Sequence, residues 1–591
     1  MMIRLHFLIF LKASDRQRLL SLNLTSEQQT IIHHGKRPLD PKNQGKVMRV
    51  IAGAGTGKTS TLELLSHELQ AAGHRVIYLV FNKSAQQDAR RRFGVSDTFD
   101  CLTIHALALR HLQLPEGLLS IDPVDDHVLQ RRIEEMYKKR VYQWLYPQVN
   151  VSDKARMRQV VESLAETALF WIFKTLLGWQ RSSKNLKELS NPRNTYYPCV
   201  LNHSRIMGFQ DYGSFYVDLA KEVWDKIWTG QLPVTHDCYL KFAQLGNFTM
   251  PGYSTILLDE SQDASECQLD LLINQQVFFP GIKKPKNIYV MGDAAQTIYS
   301  FRGAKSERIA SLQGDITDFY LTSSFRFGSN IAAIANKILW YKEHSPQAKS
   351  FMPYRVSGLS PIDGEVTSES LPFPFTAVGR TNAQLILRAL GLLVEHEGVK
   401  ITINGDTAKF KKACTEVLDL LNLKNGERPS SANFSKYKKY DDFLQDLTDK
   451  ELTQYMMHVK LIDTYGYQLP EKMAHFQNMV LNHQYKASEA DVILTTIHMA
   501  KGLEYDNVEV LSDLQDLDLA LESVSFQAKS WGDDINCWYV AVTRAKKRLR
   551  LPEKWWDFQE QLDKLASDSE IPEISAVLRD KWRTLIRSFD A

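Results

Sequence analysis

An α/β chain built on two parallel sheets, each interrupted by a mainly helical insertion, is predicted by three features of the sequence. Short β-branched runs recur in an early and a late group, turns and helix-like stretches follow them, and two long helical stretches interrupt the pattern. Length agrees, because 591 residues exceed what one hydrophobic core can organise and suggest about three or four domains.

The early runs are Val47–Ile51, Val76–Val80, Thr255–Leu258 and Asn287–Met291, and the late ones Val492–Thr495, Val508–Leu511 and Arg548–Leu551. The early runs lack polar alternation and read as parallel strands buried on both faces, and the late runs as a second set of strands. The aromatic and basic stretch between Val80 and Thr255 carries helical spacing in Arg131–Arg140 and is too long for a parallel crossover, so it reads as an inserted helical domain. The predicted division is 1–110 (first domain, first part), 111–245 (first insertion), 246–320 (first domain, second part), 321–385 (second domain, first part), 386–487 (second insertion) and 488–591 (second domain, second part, with a tail).

Composition narrows the function classes. Hydrophobic residues at 44% and charged residues at 24% are ordinary for folded chains, and 72 Lys+Arg against 69 Asp+Glu leave a net +3 that announces no polyanion partner. The six cysteines form no Cys-x-x-Cys pair, which argues against a zinc knuckle, an iron–sulfur cluster or a disulfide scaffold and predicts reduced, mostly buried thiols. The apolar run Phe7–Leu11 is too short for an export signal, and no run nears the ~20 apolar residues of a membrane span, so an intracellular place and no membrane partner are expected.

Strand Val47–Ile51 runs into Ala52-Gly53-Ala54-Gly55-Thr56-Gly57-Lys58-Thr59-Ser60 and then helix-forming Leu62–Leu65. Glycines let backbone N–H groups turn toward phosphate oxygens at a helix N-terminus; Lys58 adds a point charge and Thr59 a hydroxyl for magnesium. Strand 255–258 ends in Asp259-Glu260, one carboxylate for the metal's shell and one to activate water. Read alone, these acids are equally a solvated helix start. After strand 287–291 comes Gln296, placed to touch a γ-phosphate, and then Tyr299, Phe301 and Arg302, suited to stacking on bases or, read alone, to packing on the core.

These segments, in this order, resemble the UvrD/Rep branch of superfamily 1 helicases. Leu24–Gln28 resembles the adenine-reading segment with Gln28 as reader. Phe81-Asn82-Lys83-Ser84 and Thr103-Ile104-His105-Ala106 resemble two early DNA-contact segments. Ser324-Phe325-Arg326 is similar to motif IV, Gly379-Arg380-Thr381-Asn382-Ala383-Gln384 to the next second-domain motif, Thr496–Glu504 to motif V and Trp538–Ala545 to motif VI.

The resemblance spans about residues 22–552 and implies two RecA-like domains, ATP and Mg2+ as cofactors, and a helicase or translocase of 3′→5′ polarity on single-stranded and tailed double-stranded DNA. It implies residues 52–60, Asp259 and Glu260 at ATP–magnesium, Gln296 at the γ-phosphate, Arg326 and Arg544 reaching that phosphate, and Glu504 at the ribose. Read in isolation, each arginine is better taken as a surface ion-pair residue. DNA contacts are implied for Phe81, Asn82, His105, Tyr299, Phe301, Arg302, Arg380, Asn382 and His498. Recombination or repair proteins are candidate partners, and the expected compartment is the cytoplasm of a prokaryote or the nucleus of a eukaryote.

The sequence also departs from the family. Phe301 stands where many relatives have tryptophan. Asp533-Asp534-Ile535-Asn536 stands where bacterial housekeeping helicases carry two acids and two arginines, so those arginines' coupling contacts do not carry over. Motif wording is closest to the F-box DNA helicase branch, although no F-box is expected in the residues before 22. Phe434–Tyr440 interleaves aromatics with lysines, which suits a nucleic-acid backbone or a merely solvated surface. A translocase that strips proteins from single strands, and a nucleotide-gated DNA-binding protein, are the alternative functions.

Overall fold

The computed structural model describes residues 23–36, 46–111 (82, 94 and 95 apart), 123–149, 154–185, 212–275 (247–249 and 251 apart), 286–299, 309, 312, 315–344, 351–449 (432 and 436 apart), 455–514, 517 and 531–566. The chain divides into two compact units, one of residues 1–51, 58–293 and 299–321, the other of 52–57, 294–298 and 322–591.

The first unit holds strands β1 (Lys46–Ala52), β2 (Val76–Val80), β3 (Phe99–Thr103), β4 (Thr255–Leu258), β5 (Asn287–Gly292) and β6 (Asp315–Leu321), in the order β3-β2-β4-β5-β1-β6. The pairs from β3 through β1 run parallel. The four predicted early strands are all present, β1 and β5 extended at their ends. Since β4 and β5 are parallel neighbours, Asp259 and Asp293 leave the same carboxyl end of the sheet, where open parallel sheets bind ligands.

The predicted helical stretch forms Asp126–Leu145, Lys154–Arg181, Tyr212–Trp228 and His236–Leu245 around one core. Leu129, Ile133, Tyr137, Val141 and Leu145 recur every fourth residue and are all buried. Each contributes about 1.5–3 kcal/mol by burial. The exposed Arg132–Glu135 pair on the same helix contributes at most about 1 kcal/mol, so burial decides this helix.

In the second unit, after the short parallel pair β7 (Ser323–Ser324) and β8 (Ser357–Gly358), β9 (Glu365–Thr367), β10 (Phe375–Gly379), β11 (Ile401–Asn404), β12 (Val492–Thr496), β13 (Tyr505–Val510) and β14 (Ala545–Arg550) form a parallel sheet in the order β11-β12-β10-β13-β14-β9. β13 and β14 begin three residues before the predicted runs. The predicted boundary at 386 needs correction. It falls inside helix Asn382–Glu395, and β11, within the stretch read as the second insertion, pairs with β12 from Ile401↔Val492 to Asn404↔Thr495. The reason is apolar continuity: Phe410, Val417, Leu461, Phe476 and Val480 share one core with Phe375, Ile401, Val492 and Leu494.

Cys101, Cys238, Cys267, Cys414 and Cys537 are buried and form no disulfide among the described residues; Cys199 lies outside them. Burial pushes the thiols of Cys101 and Cys267 up to about 12 and those of Cys238 and Cys414 to about 11, which leaves them inert as nucleophiles. Among the described residues no helix is long and apolar enough to cross a membrane.

Candidate functional site

In the first unit Lys58 opens helix Lys58–Ala71, and Thr59 Oγ1 donates to Asp259 Oδ2 at 3.2 Å. Tyr78 on the neighbouring strand donates its hydroxyl to the same oxygen at 2.6 Å, and the Glu260 amide donates to Asp259 Oδ1 at 2.8 Å. Burial, with Glu260 adjacent, pushes the Asp259 carboxyl above its ordinary range, against the pull of Tyr78 and Lys58. Burial likewise raises the Tyr78 phenol well above its usual value, so it remains a donor.

Glu260 is the one non-glycine among the described residues with positive φ, at φ 50° and ψ 42°. Such a conformation costs on the order of 1–3 kcal/mol and persists only where surroundings impose it. The Gln262 side-chain amide supplies one restraint by donating to Glu260 Oε2, while its Oε1 accepts the Asp293 amide at 2.9 Å. One side chain thereby ties the end of β4 to the end of β5.

A hydroxyl and a single carboxylate are a sparse protein donor set, and among the described residues no three His, Cys, Asp or Glu side chains cluster to cage a metal. That composition fits magnesium, which keeps waters and takes phosphate oxygens for the rest of its shell.

The other sequence-predicted residues of this unit have partners of their own. Gln28 is buried, completes a capping box with Thr25 and donates Nε2 to Thr61 Oγ1 at 3.1 Å, on the helix that Lys58 opens. Ser60 Oγ accepts from Arg92 at 3.0 Å, in a network with the buried Glu63. His105 Nε2 lies 3.7 Å from Asp237, which also accepts Arg181 Nε at 2.7 Å. Burial raises the Asp237 carboxyl, yet His105 and Arg181 outweigh it and hold it below its ordinary value. Phe81 and Tyr299 stack with centroids 5.9 Å apart and planes 18° apart, both half-buried. Asn82, Phe301 and Arg302 lie outside the described residues.

In the second unit the loop Ala52–Gly57 turns through Gly55 (φ 74°) and Gly57 (φ 79°), a region that glycine enters without a Cβ penalty. Thr56 Oγ1 donates to the Gly53 carbonyl at 2.9 Å, and the Ala54 amide to the Tyr539 hydroxyl at 3.3 Å. The Phe325 amide donates to the Gly55 carbonyl at 2.9 Å, and a Cβ on Gly55 would stand 2.6 Å from both Arg326 Cβ and Ser324 Oγ.

Arg326 donates Nε to Glu504 Oε2 at 3.0 Å and Nη1 to the Thr543 carbonyl at 2.9 Å, so the expected phosphate-reaching arginine and ribose-reading acid form an ion pair. Arg544 is 1% exposed and donates to the carbonyls of Val540 (2.8 Å) and Leu503 (3.1 Å) and to Thr543 Oγ1 (3.0 Å). Gln296 is buried. Its carbonyl accepts Lys501 Nζ at 2.7 Å, and His498 Nε2 lies 3.2 Å from the Ile298 carbonyl. The Arg380 guanidinium pairs with Asp534, and Asn382 sits half-buried at a helix start.

Sequence reasoning missed Tyr78, Gln262 and Thr543. Tyr78 had a signal, a lone hydroxyl in an aliphatic strand; the others gave none outside the fold.

The family model described as UvrD/REP helicase N-terminal domain matches residues 36–317, and that described as UvrD-like helicase C-terminal domain matches 307–552. F-box DNA helicase protein 1 of Schizosaccharomyces pombe is 27% identical over 575 residues, 93% of this chain and 59% of its own length. F-box DNA helicase 1 of Gallus gallus is 26% identical over 556 residues, 89% of this chain and 49% of its own length. ATP-dependent DNA helicase PcrA of Leuconostoc citreum is 24% identical over 323 residues, 49% of this chain and 36% of its own length. The chain thus spans only 59%, 49% and 36% of these relatives' lengths. Two adjoining family models from residue 36 to residue 552, over the motifs described above, identify the chain as a member of the UvrD/REP helicase family.

Proposed function

We propose that this chain is an ATP-driven DNA motor that moves 3′→5′ on single strands and separates tailed duplexes. The observation that carries the reading is Thr59 hydrogen-bonded to the buried Asp259, with Glu260 beside it in a strained, restrained backbone. The names of the relatives, which include DNA helicase and ATP dependence, support it. Lys58 and the amides of 53–57 bind the outer phosphates. Thr59 and Asp259 would hold magnesium, which when bound neutralises phosphate charge. Glu260 orients the attacking water and accepts its proton, and Gln296 senses the γ-phosphate. Arg326 and Arg544 stabilise charge on the transferred phosphoryl group once a nucleotide draws them from their present acceptors, with Glu504 released to the ribose.

Phe81, Tyr299 and Phe301 stack on bases, with Asn82, Arg302, Arg380, Asn382, His105 and His498 along the strand. The proposed partners are single-stranded and tailed DNA and proteins of recombination or repair, in the cytoplasm of a prokaryote or the nucleus of a eukaryote. Strand displacement on 3′- and 5′-tailed duplexes, with and without ATP, tests the reading. ATP-dependent release from the 3′-tailed substrate is expected, and inactivity on both would overturn the helicase assignment. Streptavidin displacement from single strands then separates a stripping translocase from a nucleotide-gated binder.

A further inference from the structure

Three consecutive backbone carbonyls face three side chains from later in the chain. Gln296 O accepts Lys501 Nζ at 2.7 Å, Thr297 O accepts Asn536 Nδ2 at 2.6 Å, and Ile298 O lies 3.2 Å from His498 Nε2. The tripeptide links Gln296, read as the phosphate sensor, to Tyr299, which stacks on Phe81. Asn536 is the central and most buried partner, at 3% exposure.

Its amide has one workable orientation. Lys342 Nζ donates to Asn536 Oδ1 at 2.8 Å, and a lysine ammonium can only donate, while the Thr297 carbonyl can only accept. The amide must therefore present oxygen to Lys342 and nitrogen to Thr297. The ammonium also polarises the amide and strengthens its donor end in this buried setting. An arginine could serve the carbonyl but could not accept from Lys342.

We propose that Asn536, oriented by Lys342, is a positioning residue that couples DNA occupancy at Tyr299 to phosphate sensing at Gln296. The inference rests on the motor reading. Coupling of this kind is a free energy shared by two ligands, so nucleotide must alter DNA affinity through the same residue.

The test uses the full chain with Asn536→Ala, Asn536→Asp, Lys342→Met and Lys342→Arg. The readouts are phosphate release with and without saturating oligo-dT, the Kd of fluorescein-labelled oligo-dT with and without a non-hydrolysable ATP analogue, and Tm. In Asn536→Ala and Asn536→Asp, DNA-stimulated hydrolysis is expected to fall about tenfold and the analogue to stop altering Kd, a loss within the usual span of coupling. DNA-free hydrolysis should stay within about twofold, since no transition-state contact is lost. Asp matches Asn in size but sets oxygen against the Thr297 carbonyl, so it should fail where a packing role would tolerate it. Lys342→Met should show the same direction, and Lys342→Arg should keep coupling.

Unchanged stimulation in the Asn536 variants overturns the proposal, as does a parallel fall of basal and stimulated rates tracking a lowered Tm. A wild-type chain that never hydrolyses ATP in response to DNA overturns the motor reading itself, and the coupling with it, on a different measurement.

Discussion

The guanidinium groups of Arg326 and Arg544 converge on Thr543: Arg326 takes its carbonyl at 2.9 Å, Arg544 its hydroxyl at 3.0 Å. Thr543→Val keeps the carbonyl and removes the hydroxyl, leaving a buried guanidinium N–H without that acceptor. Stability in urea is expected to drop by about 1–3 kcal/mol. ATP turnover should fall while ATP binding persists, and an unaltered unfolding curve would remove Thr543 as the organiser of the pair.

Lys58→Ala should abolish ATP hydrolysis, because the outer phosphates lose their main side-chain charge. Glu260→Gln should bind ATP and DNA normally yet lose turnover, since an amide cannot take the water's proton. Nucleotide binding and steady-state phosphate release distinguish the two. Loss of nucleotide binding in Glu260→Gln would make Glu260 a structural residue.

Gly55→Ala places a methyl 2.6 Å from Arg326 Cβ and Ser324 Oγ, at a φ of 74°. Left-handed backbone alone costs a non-glycine residue about 1–2 kcal/mol. A lower Tm and loss of hydrolysis together are expected; normal values for both would contradict the close approach of Gly55 and Arg326.

Tyr299→Ala and Phe301→Ala should each weaken oligo-dT binding about tenfold, from the roughly 1–3 kcal/mol of one base stack. Hydrolysis without DNA should change little. Phe301→Trp should hold or improve affinity by enlarging the stacking face. Fluorescence anisotropy, basal hydrolysis and Tm separate this from a packing role, in which Tm and basal rate fall while affinity per folded molecule holds.

Acid stability should depend on the Glu416–His458 pair, 3.7 Å apart. His458, helped by Lys412 and Asn433, holds the Glu416 carboxyl below its ordinary value of 4.5 despite partial burial. The folded state thus favours the carboxylate, and the stabilisation is present above pH 4.5 and lost as pH falls through the lower folded value. His458→Gln should flatten this acid limb in urea unfolding at stepped pH. An unchanged limb would show that the pair does not drive it.

The sheets were legible where a strand is an uninterrupted apolar run, as in Val76–Val80 and Thr255–Leu258. Phe99–Thr103 escaped because Asp100 interrupts it, a polar residue that the fold satisfies with the Tyr253 hydroxyl. Ile401–Asn404 escaped because four residues followed by a helix look like the helix's own approach. Of the nucleotide site, the loop and the Asp259–Glu260 pair were readable because consecutive residues supply them. Gln262 and Thr543 act through hydrogen bonds to residues of other segments that no local pattern announces, and Tyr78 left only a lone hydroxyl in an aliphatic strand as its signal.

The placement of β11 at the rim of its sheet has a consequence for dissection. Excising 386–487 as a cassette would strip β12 of a parallel neighbour, leave its N–H and C=O groups bare to other chains and open the core that Phe410 and Phe476 close. The truncated protein should self-associate. Hydrogen exchange should likewise find the amides of Ile401–Asn404 and Val492–Thr495 opening together, as one cooperative block and not as a detachable appendage.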